Sequence, residues 1–421
     1  MVKRIAFILL VTAKLSFAQY SLDYFTGKAV ENSPALKEYH NLQAVNQVQK
    51  QLNMAQNSAY QLSVGNDYLF TPYLNNNGKL FSTEPSRNAV GYDINIFDGG
   101  LYSAMLNLER NVFNKKLINT LDRQTRFQDE NYSYNFELEK HTVEKLAADQ
   151  YLNAYQFLLL TRLSQEVIAN LNEQLKLTGD LVAKGYAKTQ DYLLLKIELQ
   201  TQDIELNDIE QEYQSNLYQL YALCGIRDKT VVTIEDAAIG MSTVKLQSNF
   251  IQKYAMDSLA TVIQQELFET KYLPQMKLFV NTGFNAVELY RIQRKLGMSA
   301  GFNVSLPIFD GNQKSLTRQQ NAITQGIIKD YREYSIRNID MQRKNLLARI
   351  QGLEENIRRL NEQINDYQNL LDMSAQQLLQ GNISMIDYLT LLGNFIDLRK
   401  NKIDMTIRYQ LEINNYNYWN W

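Results

Sequence analysis

Two aspartates recur in matching surroundings: Asp191 within KGYAKTQDYLLL, residues 184–195, and Asp387 within QGNISMIDYLTL, residues 380–391, in step at 387 − 191 = 196. A glycine, Gly185 or Gly381, stands upstream of each at 191 − 185 = 387 − 381 = 6. Glycine there fits a left-handed turn that reverses two helices. A carboxylate in the first turn of the returning helix is favoured by its dipole by ~0.3 to 1 kcal/mol. Beyond these the chain offers little for catalysis. His40 and His141 are the only histidines, too few for most metal or general-base constellations. Cys224 is the only cysteine, which excludes an internal disulfide and a cysteine-rich metal site. The 45 acidic residues are spread along helices without a clustered pair, so we read a non-enzyme without a cofactor or metal. The 43 basic residues leave a net charge of −2, and no long-range field favours nucleic acid.

The elements that must carry these aspartates are helices of unusual length. Residues 101–178 contain neither proline nor glycine, and residues 312–380 contain no proline and only Gly326 and Gly352. At ~1.5 Å per residue the two would reach roughly 115 Å and roughly 100 Å, so their packing must be lateral. In the second, Leu346, Ile350, Leu353, Ile357, Leu360, Ile364, Tyr367, Leu371, Ser374 and Leu378 follow steps of four and three, a coiled-coil seam. In the first, Tyr151, Tyr155, Leu159, Leu163, Val167, Leu171 and Leu175 recur every four residues and would serve more than one neighbour.

Ahead of each long helix the period changes to two. Leu62, Val64, Tyr68 and Phe70 alternate with Gln61, Ser63, Gly65 and Asp67, and Val90, Tyr92, Ile94 and Ile96 with Gly91, Asp93 and Asn95. In the second half Met276, Leu278, Val280, Thr282 and Phe284 form one row, and Met298, Ala300, Phe302, Val304 and Leu306 another. Phe97-Asp98-Gly99-Gly100 and Phe309-Asp310-Gly311-Asn312, offset by 309 − 97 = 212, read as strand-to-helix junctions. The expected organisation is a signal peptide at 1–18, a first repeat at 19–225, an equatorial linker at 226–248 and a second repeat at 249–421. The first repeat is expected to hold strands at 60–71 and 88–97, a long helix at 101–178 and a tip at 179–191; the second, strands at 274–286 and 296–308, a long helix at 312–380 and a tip at 380–387.

Lys3 and Arg4 before an apolar run from Ile5 to Ala13, then Ser16-Phe17-Ala18, are the marks of a secretory leader. No cysteine lies near the expected cleavage site, so no amino-terminal lipid anchor is expected. No stretch of the mature chain has the ~18 consecutive apolar residues of a spanning helix. Membrane insertion would therefore require a barrel. Strands of about ten residues, apolar on one face and small or polar on the other, suit a barrel wall. Four strands cannot close one, but three copies would supply twelve, with helical columns continuing below.

With these elements in order, the sequence resembles the outer-membrane efflux proteins typified by the bacterial TolC channel-tunnel. The resemblance runs over essentially the whole mature chain. It is carried by NIFDGG and LPIFDGN, the two tip segments, the opening NSPAL, and LPQMKLFV before the third strand. It implies a mostly α fold with a transmembrane β-barrel: a homotrimer with a twelve-stranded barrel and a long α-helical periplasmic tunnel. It also implies a place in the outer membrane of a Gram-negative-type cell, with a large periplasmic part in contact with outer-membrane lipid only through the barrel. The implied role is the passive exit duct of a tripartite efflux or type I secretion system. Its partners would be a periplasmic adaptor (a membrane fusion protein) and an inner-membrane pump of RND or ABC type. Residue by residue, Gly185, Tyr186, Gly381 and Asn382 match the adaptor-facing tips, and Asp191 and Asp387 the tip aspartates, with Asp387 on the pore side. Thr390 and Ile383 depart from the family, standing where its best-known member has a second ring aspartate and an arginine. Phe97, Asp98, Gly99, Pro307, Phe309, Asp310 and Gly311 match its strand-helix junctions. The residues alone leave a second reading, an exported coiled-coil scaffold whose hairpins only cap the helices.

Overall fold

A computed structural model describes residues 20–82, 90–91, 100–228, 230–245, 247–287 and 289–421. The expected leader at 1–18 and the junction residues Phe97, Asp98 and Gly99 lie outside the described residues. The chain runs α1 (Leu22–Asn32), α2 (Pro34–Ser58), β1 (Gln61–Phe70), β2 (Tyr73–Asn76), β3 (Lys79–Ser82), β4 (Gly100–Val112), α3 (Lys115–Ala183) and α4 (Thr189–Leu223). It continues with α5 (Gln252–Glu269), β5 (Gln275–Ala286), β6 (Leu296–Ser305), α6 (Gln313–Leu379) and α7 (Met385–Trp419). Among the described residues no helix is long and apolar enough to cross a membrane.

Two expectations are corrected here. The long helix does not begin at residue 101; a 13-residue strand, β4, occupies Gly100–Val112 and α3 starts at Lys115. Tyr102, Ala104, Leu106 and Leu108 satisfy a period of two, while Leu101, Met105 and Leu108 satisfy a helical one. Local pattern could not arbitrate, and pairing with a strand on each side decided for the sheet. Gly179, expected to open the tip, lies inside α3, which continues to Ala183.

The corrected boundaries reveal a simpler duplication. β4 and β6 begin at 296 − 100 = 196, α3 and α6 end at 379 − 183 = 196, and α4 and α7 both start and finish at 385 − 189 = 419 − 223 = 196. At the strand-to-helix junction the step becomes 198: α3 and α6 start at 313 − 115 = 198, and left-handed Phe113 corresponds to left-handed Gly311 at 311 − 113 = 198.

Contacts divide the chain into two compact units, each built from both repeats. One comprises Tyr39–Tyr134 and Gln252–Arg332 and holds the sheet, in the order β1-β4-β5-β6 with every pair antiparallel. Gly283 is required where β5 meets β4: a Cβ there would lie 2.1 Å from the Ala104 carbonyl oxygen. The short hairpin β2–β3 turns through Asn77 and Gly78, both left-handed.

The other unit takes the chain up to Glu38, Asn135–Ile251 and Glu333–Trp421. Its helices pack through the stripes read from the sequence: Tyr151, Tyr155, Leu163, Val167 and Leu171 of α3, and Leu346, Ile350, Leu360, Ile364 and Leu371 of α6, are buried. One apolar cluster joins Phe25 and Ala29 of α1 to Tyr151 and Leu152 of α3, Leu217 and Leu220 of α4, Ile407 of α7, and Ile234. Burial there pushes the Cys224 thiol up to about 12 and leaves it inert. Among the described residues the linker forms no strand of its own. Its β-prone run contributes a single parallel bridge, Ile234 to Tyr20. Side chains of the helices hold it instead. Tyr213 and Tyr221 donate to the carbonyls of Val232 and Thr230, each at 2.7 Å, and Gln410 accepts from the Ile239 amide at 2.6 Å. His141 stacks between Tyr418 and Trp421, centroids 4.9 and 5.0 Å away, and burial lowers its pKa.

Candidate functional site

The four-stranded sheet presents two unlike faces. Residues directly opposite one another share a face, so the register Val64↔Leu106↔Thr282↔Met298 and Arg110↔Leu278↔Phe302 sorts the side chains. On one face lie Leu62, Val64, Tyr68, Leu106, Leu278, Val280, Met298, Phe302 and Val304, all of them exposed. The opposite face carries Ser63, Asn107, Asn281 and Ser299 in one row and Asn111, Lys277 and Asn303 in another. Lys277 Nζ lies 3.0 Å from Glu109, and Ser103 Oγ donates to Asp67 at 3.1 Å. Such a wall is apolar and exposed on one side and hydrogen-bonding on the other, the reverse of a soluble protein's sheet.

The helices of this unit repeat the order of the strands. Asn46 of α2 donates to Asp129 of α3, Arg123 of α3 pairs with Glu266 of α5, and Arg318 of α6 grips Glu269 of α5 with two bonds at 2.8 and 3.0 Å. That fork holds the Glu269 carboxyl down at about 2. The layer therefore runs α2-α3-α5-α6 under β1-β4-β5-β6. Its two outermost helices each leave an apolar stripe uncovered, Val45, Val48 and Leu52 on α2 and Leu316, Ile323, Ile327 and Tyr331 on α6.

The two strand-to-helix junctions differ. After β6, Pro307 and the exposed Phe309 lead to Asp310, whose carboxylate accepts from the Lys314 amide at 3.1 Å and from the Tyr272 hydroxyl. The Tyr272 hydrogen bond lowers the Asp310 pKa. Gly311 and Asn312 take the left-handed turn at φ 67° and 66°. After β4 no glycine is present, and Phe113 itself stands at φ 59°, with its side chain 80% exposed. A bulky residue in that region is an outlier. Sequence reasoning missed Phe113, because the offset of 196 that aligns the tips pairs it with Phe309, two residues short of the left-handed Gly311.

Both tips belong to the helical unit and close in the same way. Gly185 and Gly381 are left-handed at φ 78° and 75°. Their amides donate to Val182 and Leu378, and the next amides, of Tyr186 and Asn382, to Leu181 and Gln377, at 2.8 to 3.0 Å. Each is a Schellman turn. One apolar cluster brings the hairpins together, with Leu195 of α4 beside Met385 and Tyr388 of α7, and Ile383 packs partly buried against it. Tyr186 and Asn382 are exposed.

The two aspartates, alike in sequence, differ in setting. Asp387 is exposed and completes a capping box: its amide donates to Ser384 Oγ at 3.2 Å, while its Oδ2 accepts from the Ser384 amide at 3.3 Å and hydroxyl at 2.7 Å. Asp191 lies in the first turn of α4, where Lys188 caps without a side-chain bond. Thr390 Oγ1 is turned back to the Ile386 carbonyl at 2.8 Å. Ser384→Ala is expected to cost about 1 kcal/mol locally, seen as faster amide exchange in the first turn of α7 with the start of α4 unchanged. Three further pins tie the returning helices to their neighbours and were not foreseen: Gln174 to Tyr388, Glu166 to Arg399, and Glu205 to Lys400. Tyr388 is buried, which raises its pKa.

No protein-family model and no curated protein matches the chain. Solved structures do. The CmeC outer membrane channel of Campylobacter jejuni is 13% identical, with 95% of this chain and 85% of that one superposed at a TM-score of 0.69. The outer membrane protein VceC of Vibrio cholerae is 13% identical over 95% of this chain and 96% of its own, at 0.68. The MtrE outer membrane channel of Neisseria gonorrhoeae, in its open state, is 13% identical over 96% and 90%, at 0.63. The chain thus shares the mostly helical fold of outer-membrane channels along nearly its entire length.

Proposed function

We propose that this chain is a passive outer-membrane export duct that works as a homotrimer. The carrying observation is the open-edged, two-faced wall. Among the described residues β1 and β6 end the sheet with unpaired backbone edges, and the helices at the same two edges, α2 and α6, bear uncovered apolar stripes. An open edge in lipid would cost several kcal/mol per unpaired group. Joining the β1/α2 edge of one copy to the β6/α6 edge of the next buries both stripes and continues the antiparallel order. Such a head-to-tail contact closes into a ring, and three copies give twelve strands, an even number within the range of outer-membrane barrels. The exposed apolar face then meets lipid and the amide-rich face lines the lumen.

On this reading the repeats are functional halves, each ending in a periplasmic tip. Gly185, Tyr186, Gly381 and Asn382 offer the contact for a periplasmic adaptor, and an RND or ABC pump in the inner membrane supplies the energy. The fold shared with CmeC and MtrE supports this reading. The protein is expected to need detergent for extraction, to migrate as a trimer and to conduct ions in a planar bilayer; a monomer soluble without detergent overturns the proposal. Asp387 remains exposed while capping α7, so its outer oxygen is free to face a pore. Asp387→Ala is expected to weaken divalent-cation block of the conductance severalfold, because a threefold ring of carboxylates attracts such ions. Unchanged block removes Asp387 from the pore.

A further inference from the structure

A cavity of about 230 Å³ lies at the lower rim of the sheet, where the strands pass into helices. Asn111, Lys277 and Asn303 line it as three directly opposed residues of β4, β5 and β6, with Gln275 and Ser305 one row below. Phe113 and Asn114 close one side, and Leu117, Leu273 and Pro274 contribute an apolar patch. Among the described residues nothing bonds the side-chain amides of Asn111, Asn303 or Gln275, whereas the one cation, Lys277, is already neutralised by Glu109 at 3.0 Å.

We propose that this cavity is a subsite for a neutral, polyhydroxylated solute, of the size of one sugar ring, in transit through the lumen. The inference rests on the duct reading and gives its wall a substrate class. The donor set decides the chemistry. Each free amide offers both a donor and an acceptor, which matches hydroxyls that do both. With its lysine paired, the cavity has no net charge to hold an anion, and it has no carboxylate to spare for a cation. Its apolar patch and the exposed Phe113 ring suit the C–H face that a sugar presents beside its hydroxyls.

The backbone of Phe113 points the same way. Its left-handed conformation would suit glycine or asparagine, which the second repeat uses at Gly311 and Asn312. A phenylalanine kept there, largely exposed, supplies a ring that the turn itself does not need, and such outliers gather at ligand sites.

The experiment is block of single channels in planar bilayers by maltohexaose, set against a polyethylene glycol of equal hydrodynamic radius. Maltohexaose is expected to block at lower concentration than the glycol. Asn111→Ala with Asn303→Ala should raise its half-blocking concentration about tenfold, the combined effect of the hydrogen bonds lost with the two amides. Phe113→Gly, which relieves the backbone and so guards against misfolding, should do likewise with single-channel conductance near wild type. Equal block by sugar and glycol, or variants that block like wild type, would overturn the subsite and leave the duct intact. Failure of the wild-type protein to form channels would instead overturn the duct, and the subsite with it.

Discussion

Arginine at Val64 or Phe302 is expected to keep the protein out of the outer membrane. Both side chains are exposed, at 72% and 66%, and both stand on the apolar face of the sheet. A soluble protein would accept a charge at so exposed a position within about 0.5 kcal/mol. In a lipid-facing barrel wall the same change costs about 2 to 4 kcal/mol near the midplane and about 0 to 1 near the rim. Val64→Arg should therefore weigh more than Phe302→Arg, whose neighbour Asn303 lies at the lower rim. The two sites lie on the outer strands β1 and β6, so Val64→Arg and Phe302→Arg probe the apolar face at both edges of the sheet. The control is Ser299→Arg on the opposite face, which should insert normally and shift ion selectivity towards anions. Membrane fractionation and the yield of detergent-resistant trimer read the outcome. If the apolar-face variants insert as well as wild type, that face does not meet lipid.

The contrast between faces also shows what the sequence could convey. β5 and β6 were legible because each keeps a period of two for ten residues or more, and β1 because its period survives the interruption at Asn66. β4 was not, because its residues fit both periods, and only its partners on both sides, β1 and β5, fix it as strand. The glycine pair at 99–100 drew the expected junction too early, since glycine is the usual left-handed residue; the structure puts that conformation on Phe113. α1 was also missed. Its burial of Phe25 and Ala29 depends on α3 and α4, more than a hundred residues away in the chain.

The tips were the most legible part of the candidate site, because a Schellman turn is a local device that glycine advertises. What the sequence withheld there was the difference between the aspartates. Ser384 stands three residues before Asp387 and can share a capping box with it, whereas Lys188 holds the same place before Asp191 and cannot. The pins from α7 to Glu166 and Glu205 were hidden for another reason. They join residues 399 − 166 = 233 and 400 − 205 = 195 apart in the chain, and no local pattern marks which of many exposed charges will meet.

Phe25→Ala is expected to loosen the linker at 226–245 without disturbing the tips. Phe25 is fully buried, with the rings of Tyr151 and Tyr221 at 5.7 and 6.1 Å and those of Tyr20 and Tyr24 at 5.9 and 5.2 Å. Truncating so enclosed a phenylalanine costs about 3 to 5 kcal/mol, the lost transfer energy plus the cavity left behind. The loss should fall on the linker because Tyr151 is the hinge between the two: its hydroxyl donates to the carbonyls of Glu235 at 2.7 Å and Tyr20 at 3.2 Å. Tyr151→Phe, which removes those bonds and keeps the ring, should cost only about 1 to 3 kcal/mol. Hydrogen exchange separates the two effects: both variants should speed exchange in the linker, Phe25→Ala the more. Amides of Gly185 and Gly381 should stay as protected as in wild type, since the tip cluster shares no residue with the one around Phe25. Equal acceleration at the tips would mean that the helical unit opens as a whole, so that the linker is held by global stability rather than by these aromatic side chains.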